Sequence, residues 1–132
     1  MKIHLDNHYV LLGWDDELRA VVFQWKKFAT SEAYREAMNL TLTLLEQNSG
    51  TLIMCDSTHQ GVISLEDQRW TTEEWNPHAV KIGLKKTAIL MPEKVVTQMA
   101  IDKMKKQVEA RTHSDESAYF HNEEQAKAWL LS

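Results

Sequence analysis

The stretch Thr51-Leu-Ile-Met-Cys-Asp-Ser-Thr-His-Gln-Gly-Val-Ile-Ser64 constrains what this chain can fold into more than any other. The run Thr51 to Cys55 is too short for a helix and wholly apolar after its first residue, which reads as a strand covered on both faces. It empties into Asp56, Ser57, Thr58 and His59 just before a capped helix. A buried parallel strand delivers polar groups to the binding edge of an open α/β sheet in this way. Function is expected around Asp56 to Gly61, although the cluster completes no catalytic motif.

The rest of the chain supplies the partners of that strand. His8 to Trp14 and Leu18 to Trp25 are β-prone runs around Asp15-Asp16-Glu17, a connection of hairpin length. In the second run Val21, Phe23 and Trp25 share one face and Leu18, Ala20 and Val22 the other, so both faces are apolar and the strand lies inside the sheet. Thr30 or Ser31 caps a long helix with apolar residues at helical spacing, stopped by Asn48-Ser-Gly50. Thr87 to Met91 is a further buried strand. Between the two buried strands, Ser64 and Asp67 open a helix that Asn76-Pro77 kinks or restarts and Gly83 ends, because proline lacks a backbone donor and disfavours helix in the residue before it. A third helix spans Glu93 to Glu109 on an Ile101, Met104, Val108 seam. Ser117 to Phe120 is a last short strand, and Asn122-Glu-Glu-Gln125 opens a final helix burying Ala126, Trp129 and Leu130. The order β-β-α-β-α-β-α-β-α predicts one α/β domain over residues 1–132: a five-stranded, mainly parallel sheet with an N-terminal β-hairpin and four helices.

Composition narrows the functional classes. The 132 residues suit one domain, and 43% hydrophobic against 26% charged residues is ordinary globular usage. With a net charge of −4 and basic residues gathered only at Lys26-Lys27, Lys85-Lys86 and Lys103, Lys105, Lys106, no nucleic-acid footprint is expected. Cys55 is the single cysteine, which excludes an internal disulfide and a cysteine metal cluster. With no apolar signal segment and no membrane span in the sequence, a cytoplasmic location is expected. His4 and His8 are four apart in an extended stretch, about 13 Å between side chains, so they share no metal. The four glycines are too scattered to cradle a phosphate, and no cofactor is expected.

Several short patterns, in order along nearly the whole chain, resemble a known group. They are Trp25 with Phe28 and Ser31-Glu-Ala-Tyr-Arg-Glu-Ala37, Asp56 with Gly61-Val-Ile-Ser, Glu66-Asp67 with Trp70, and Pro77, Ala79 and Gly83 before Lys86-Thr-Ala-Ile. The chain closes with Tyr-Phe-His-Asn-Glu-Glu-Gln-Ala-Lys-Ala-Trp-Leu. Together these resemble the small bacterial STAS-like proteins, similar to the sporulation anti-sigma-factor antagonist and grouped with CRAL-TRIO lipid-binding domains. The resemblance implies the five-stranded fold above. It also implies that a serine in an Asp-Ser-Ser/Thr-Gly context, at the start of the helix after the third strand, is a phosphoswitch. Here Asp56-Ser57-Thr58 matches the first part, but His59-Gln60 intervene before Gly61 and the helix starts near Ser64.

Three functions compete. The first is a non-enzymatic binding or regulatory domain whose contact surface is Asp56, Ser57, Thr58, His59 and Gly61 with Trp25, Trp70 and Trp75, meeting a protein partner or a second copy in a homodimer. The second is a carrier of a small apolar or lipid-like ligand in a groove lined by tryptophan and by Met54, Met91 and Met99. The third is a small hydrolase using His59 and Ser57, for which no nucleophile elbow is present. Against all three stands the plain expectation that Asp56 and the hydroxyls satisfy backbone donors and that the methionines fill the core.

Overall fold

The computed structural model describes residues 1–111 and 115–132. Its six strands are β1 (Lys2–Asp6), β2 (Val10–Asp15), β3 (Ala20–Trp25), β4 (Leu52–Asp56), β5 (Lys86–Leu90) and β6 (Glu116–Phe120). They form one sheet in the order in which they occur in the chain. β1, β2 and β3 pair antiparallel, and β3 through β6 pair parallel.

The five-stranded expectation is corrected to six, because the first residues form a strand of their own. This strand carries no sequence signal because it lies at the edge of the sheet with Leu5 packed against the core, so it shows no apolar run. Its turn is set by Asn7, whose side-chain oxygen accepts from the N–H groups of Tyr9 (2.8 Å) and Val10 (2.9 Å), an Asx turn. The ladder shifts register between Ile3 and Leu5. There Gly13 lies so close to β1 that a Cβ would sit 2.3 Å from the Lys2 carbonyl oxygen, which excludes any other residue.

Three crossovers, β3 to β4, β4 to β5 and β5 to β6, advance in the same direction across the sheet. With the constant hand of such crossovers, their helices fall on one face. These are α1 (Ser31–Gln47), then α2 (Leu65–Trp70), a π-helical turn (Thr71–Trp75) and α3 (Asn76–Lys81) run together as one rod, then α4 (Val95–Arg111). The main core lies between them and the sheet, where Val21, Phe23, Trp25, Ile53 and Cys55 meet Tyr34, Met38, Leu45, Trp75 and Ile101. The eight-residue α5 (Glu123–Leu130) covers the opposite face alone, setting Ala126 and Leu130 on Ala20, Met54, Ala88 and Leu90. Among the described residues no helix is long and apolar enough to cross a membrane.

Local chemistry fixes the helix ends. Thr30 caps α1 by accepting from Ala33 N–H, Ser64 caps α2 by accepting from Asp67 N–H at 3.1 Å, and Asn122 caps α5 by accepting from Gln125 N–H at 2.8 Å. Asp67 also fastens the rod to α1: its buried Oδ1 accepts from Ser31 Oγ (2.8 Å) and Arg35 Nε (2.9 Å). The helix expected to kink or restart at Asn76-Pro77 restarts there as α3, with the proline in its first turn, and stays helical throughout because the register widens just before the proline. Asn76 N–H bonds to the Thr71 carbonyl, five residues back. In that register the next donor would be the amide of residue 77, which proline lacks. The Thr72 carbonyl left over is taken by the Arg111 guanidinium from the end of α4.

Candidate functional site

Under the π turn the core is incompletely filled. A cavity of about 130 Å³, partly open to the surface, lies between the sheet and the helices. Its floor is Phe23, Trp25, Ile53, Cys55 and Ile89, and its roof is Tyr34, Met38, Trp75, Ile101 and Met104. Thr71, Thr72 and Asn76 from the widened turn and the residue after it also line it. It runs from Ser57, Gln60 and Ile63, beyond the C-terminal end of β4, to Thr87 and Ser117, near the N-terminal ends of β5 and β6. Because Thr87 is level with Ile53 in the ladder, the four residues from there to Ser57 give a length of about 13 Å.

The lining is almost entirely neutral. Burial pushes the Cys55 thiol up from 9.0 to about 12 and raises the Tyr34 phenol above its ordinary range, so both keep their protons near neutral pH. Tyr34 Oη and Thr71 Oγ1 lie 2.7 Å apart, and Thr71 Oγ1 donates to the Asp67 carbonyl. Trp75 is anchored by its indole N–H, which donates to the Met38 carbonyl at 2.7 Å. Among the described residues Lys105 is the one charged residue of the lining; its ammonium lies 5.8 Å from the Tyr119 ring and is paired with Glu109. Among the described residues no group of three metal-ligating side chains converges.

The polar cluster after β4 is used largely in holding its own loop. Asp56 accepts from Thr58 N–H (3.0 Å) and from Gln24 Nε2 (3.4 Å). Ser57 is fully buried with Oγ 3.1 Å from Cys55 Sγ. The loop backbone is tied by Gln60 N–H to the Ser57 carbonyl, Glu93 N–H to the Thr58 carbonyl and Thr97 Oγ1 to the Gln60 carbonyl. His59 is exposed, with Nδ1 3.6 Å from Glu93 Oε1, and no hydrogen bond joins it to Ser57 among the described residues. Gly61 faces Phe28 so closely that a Cβ would meet the Phe28 Cα at 2.7 Å. The strand order never reverses, so the crevice that a reversal opens at the C-terminal edge of such sheets has no counterpart here.

The tryptophans separate. Trp25 is 1% exposed and stacks on Tyr34 with ring centroids 5.5 Å apart. Trp75 is 7% exposed, and both line the cavity. Trp70 is half-buried outside it, under the Arg35 guanidinium at 4.9 Å. Met54 packs on the α5 face and Met99 is exposed, so the methionines at the cavity are Met38 and Met104. Sequence reasoning named neither of these two as site residues, nor Tyr34, Thr71 and Thr72, and reached Gln60 only as part of the Asp56 to Gly61 loop. The Ile101, Met104, Val108 seam marks Met104 as inward-facing, but nothing local marks the gap it borders. No family model, curated protein or solved structure matches this chain.

Proposed function

We propose that this chain is a non-enzymatic binding domain that holds one small, mainly apolar molecule in the cavity beneath the π turn. The observation that carries the reading is the cavity itself, lined mostly by aromatic and aliphatic side chains. Native cores are packed at crystal density, and voids of this size are few. A cavity of about 150 Å³ lined by aliphatic and aromatic groups stays dry and accepts benzene, whereas drug-sized ligands take about 300 Å³ or more. A volume of about 130 Å³ therefore corresponds to a single ring or a short branched chain. The π turn adds support, because such insertions weaken a helix and recur at functional sites. STAS-like kinship, a cytoplasmic location and activity without a cofactor belong to the same proposal.

Trp25 and Trp75 provide the assay. Toluene should change their fluorescence and, at tenfold its Kd, add about 1.4 kcal/mol to unfolding stability. Val108→Phe, placed at the cavity wall, should abolish both effects. No fluorescence change and no thermal shift up to the solubility limit of toluene would remove the proposal.

A protein partner is the second reading, favoured by Phe28 and Val62, which are 54% and 50% exposed and line one small cleft beside Gly61. A homodimer would then use this edge, since Trp25 and Trp75 are buried.

A further inference from the structure

The two ends of the cavity differ in a way that names the chemistry of its occupant. At the β4 end stand two buried polar side chains, Ser57 at 0% and Gln60 at 6% exposure. Among the described residues Ser57 Oγ has only the Cys55 thiol, a weak partner. Among the described residues the Gln60 side-chain amide has no hydrogen-bond partner, although its backbone is clamped on both sides, by Ser57 through N–H and by Thr97 through C=O. The amide is not sealed from solvent, since among the described residues the buried side-chain atom without a partner is Asp115 Oδ1, so a polar group bound there would take the place of water. The amide belongs to a residue of the pocket wall whose backbone is fixed, and a hydroxyl stands beside it in the lining.

Resting on the binding function proposed above, we infer that the occupant is an uncharged molecule with one hydrogen-bonding group that both donates and accepts, of the phenol or aryl-alcohol class, its polar group on Gln60 and Ser57 and its ring among Phe23, Trp25 and Trp75. An amide offers a donor and an acceptor side by side, and a serine hydroxyl rotates to supply whichever remains. A hydroxyl on an aromatic ring matches that pair and leaves the ring to the apolar walls. A carboxylate or ammonium does not fit this end: the lining has no opposite charge there, and a buried charge without a partner is strongly disfavoured. Among the described residues the one charged residue of the lining is Lys105, whose ammonium lies 5.8 Å from the Tyr119 ring of β6 and is already paired with Glu109.

The test compares phenol, toluene and benzoate on the intact protein at neutral pH, by tryptophan fluorescence and by the side-chain amide signals of Gln60 in a ¹⁵N-correlated NMR spectrum. Phenol should bind about tenfold or more tighter than toluene, the scale of one buried hydrogen bond, and should shift the Gln60 amide signals where toluene does not. Benzoate should not bind. Gln60→Met, close in volume, should bring phenol down to the affinity of toluene while toluene is retained, and Ser57→Ala should weaken phenol alone by a smaller factor. Toluene binding with no preference for phenol, or equal losses for both in Gln60→Met, would overturn this inference and leave the binding function standing. Failure of both compounds to bind would overturn the two together.

Discussion

Single residues in the sheet carry more than their share of this fold. Ile53 is fully buried at the centre of the parallel strands and forms part of the cavity floor. Ile53→Asp would place a carboxylate there with no counter-charge, so the variant should lose about 4 kcal/mol or more and be recovered unfolded or insoluble, as circular dichroism and urea titration would show. Cys55 gives a second residue-scale prediction. The folded state keeps its proton from 9.0 up to about 12, while the unfolded chain releases it near 9.0. Within that window the native state binds more protons, and stability must fall as pH rises, by about 1.4 kcal/mol per pH unit from this thiol. Below 9.0 both states are protonated and the contribution is flat. Urea midpoints measured across the window should therefore drop more steeply for the parent than for Cys55→Ala, and Ellman's reagent should label Cys55 only after unfolding.

At the level of elements, the rod and α4 depend on each other through one carbonyl. Arg111→Met would strand the Thr72 carbonyl beneath α4 at a cost of about 1–3 kcal/mol. Pro77→Ala restores an amide that can serve that carbonyl in the wide register. The double variant should then be more stable than the sum of the single changes predicts, and a double-mutant cycle from thermal melts with no coupling would contradict the account. This contact also explains where sequence reasoning stopped. Strands with continuous apolar runs, such as Leu52 to Cys55, declare themselves because burial on both faces admits nothing else. The caps Thr30, Ser64 and Asn122 are equally plain. The exposed edge strand Lys2–Asp6 carries no such pressure, and the turn Thr71–Trp75 has no local sign, because its register is set by a proline after it and an arginine about forty residues on. The cavity is harder still to foresee: its walls come from four strands, three crossover helices and a loop, and Gln60 sits in a loop held mainly by its own backbone bonds and by Asp56.

Across the whole molecule, the two faces of the sheet are unequally protected. Three crossover helices guard one, and α5 alone guards the other. Lys86 Nζ helps to hold that helix by donating to the Trp129 carbonyl at 3.1 Å. Leu130→Asp should detach α5, expose Met54, Ala88 and Leu90, and produce a species that binds a hydrophobic dye and aggregates on heating, while the cavity face still responds to toluene if the sheet survives. The strand order has a consequence for biosynthesis. Because position in space follows position in the chain, every strand that leaves the ribosome finds its neighbour already made, and the sheet can lengthen at the pace of translation. Only the surface beneath α5 has to wait: it stays open to other nascent chains until residues made after all six strands arrive to close it.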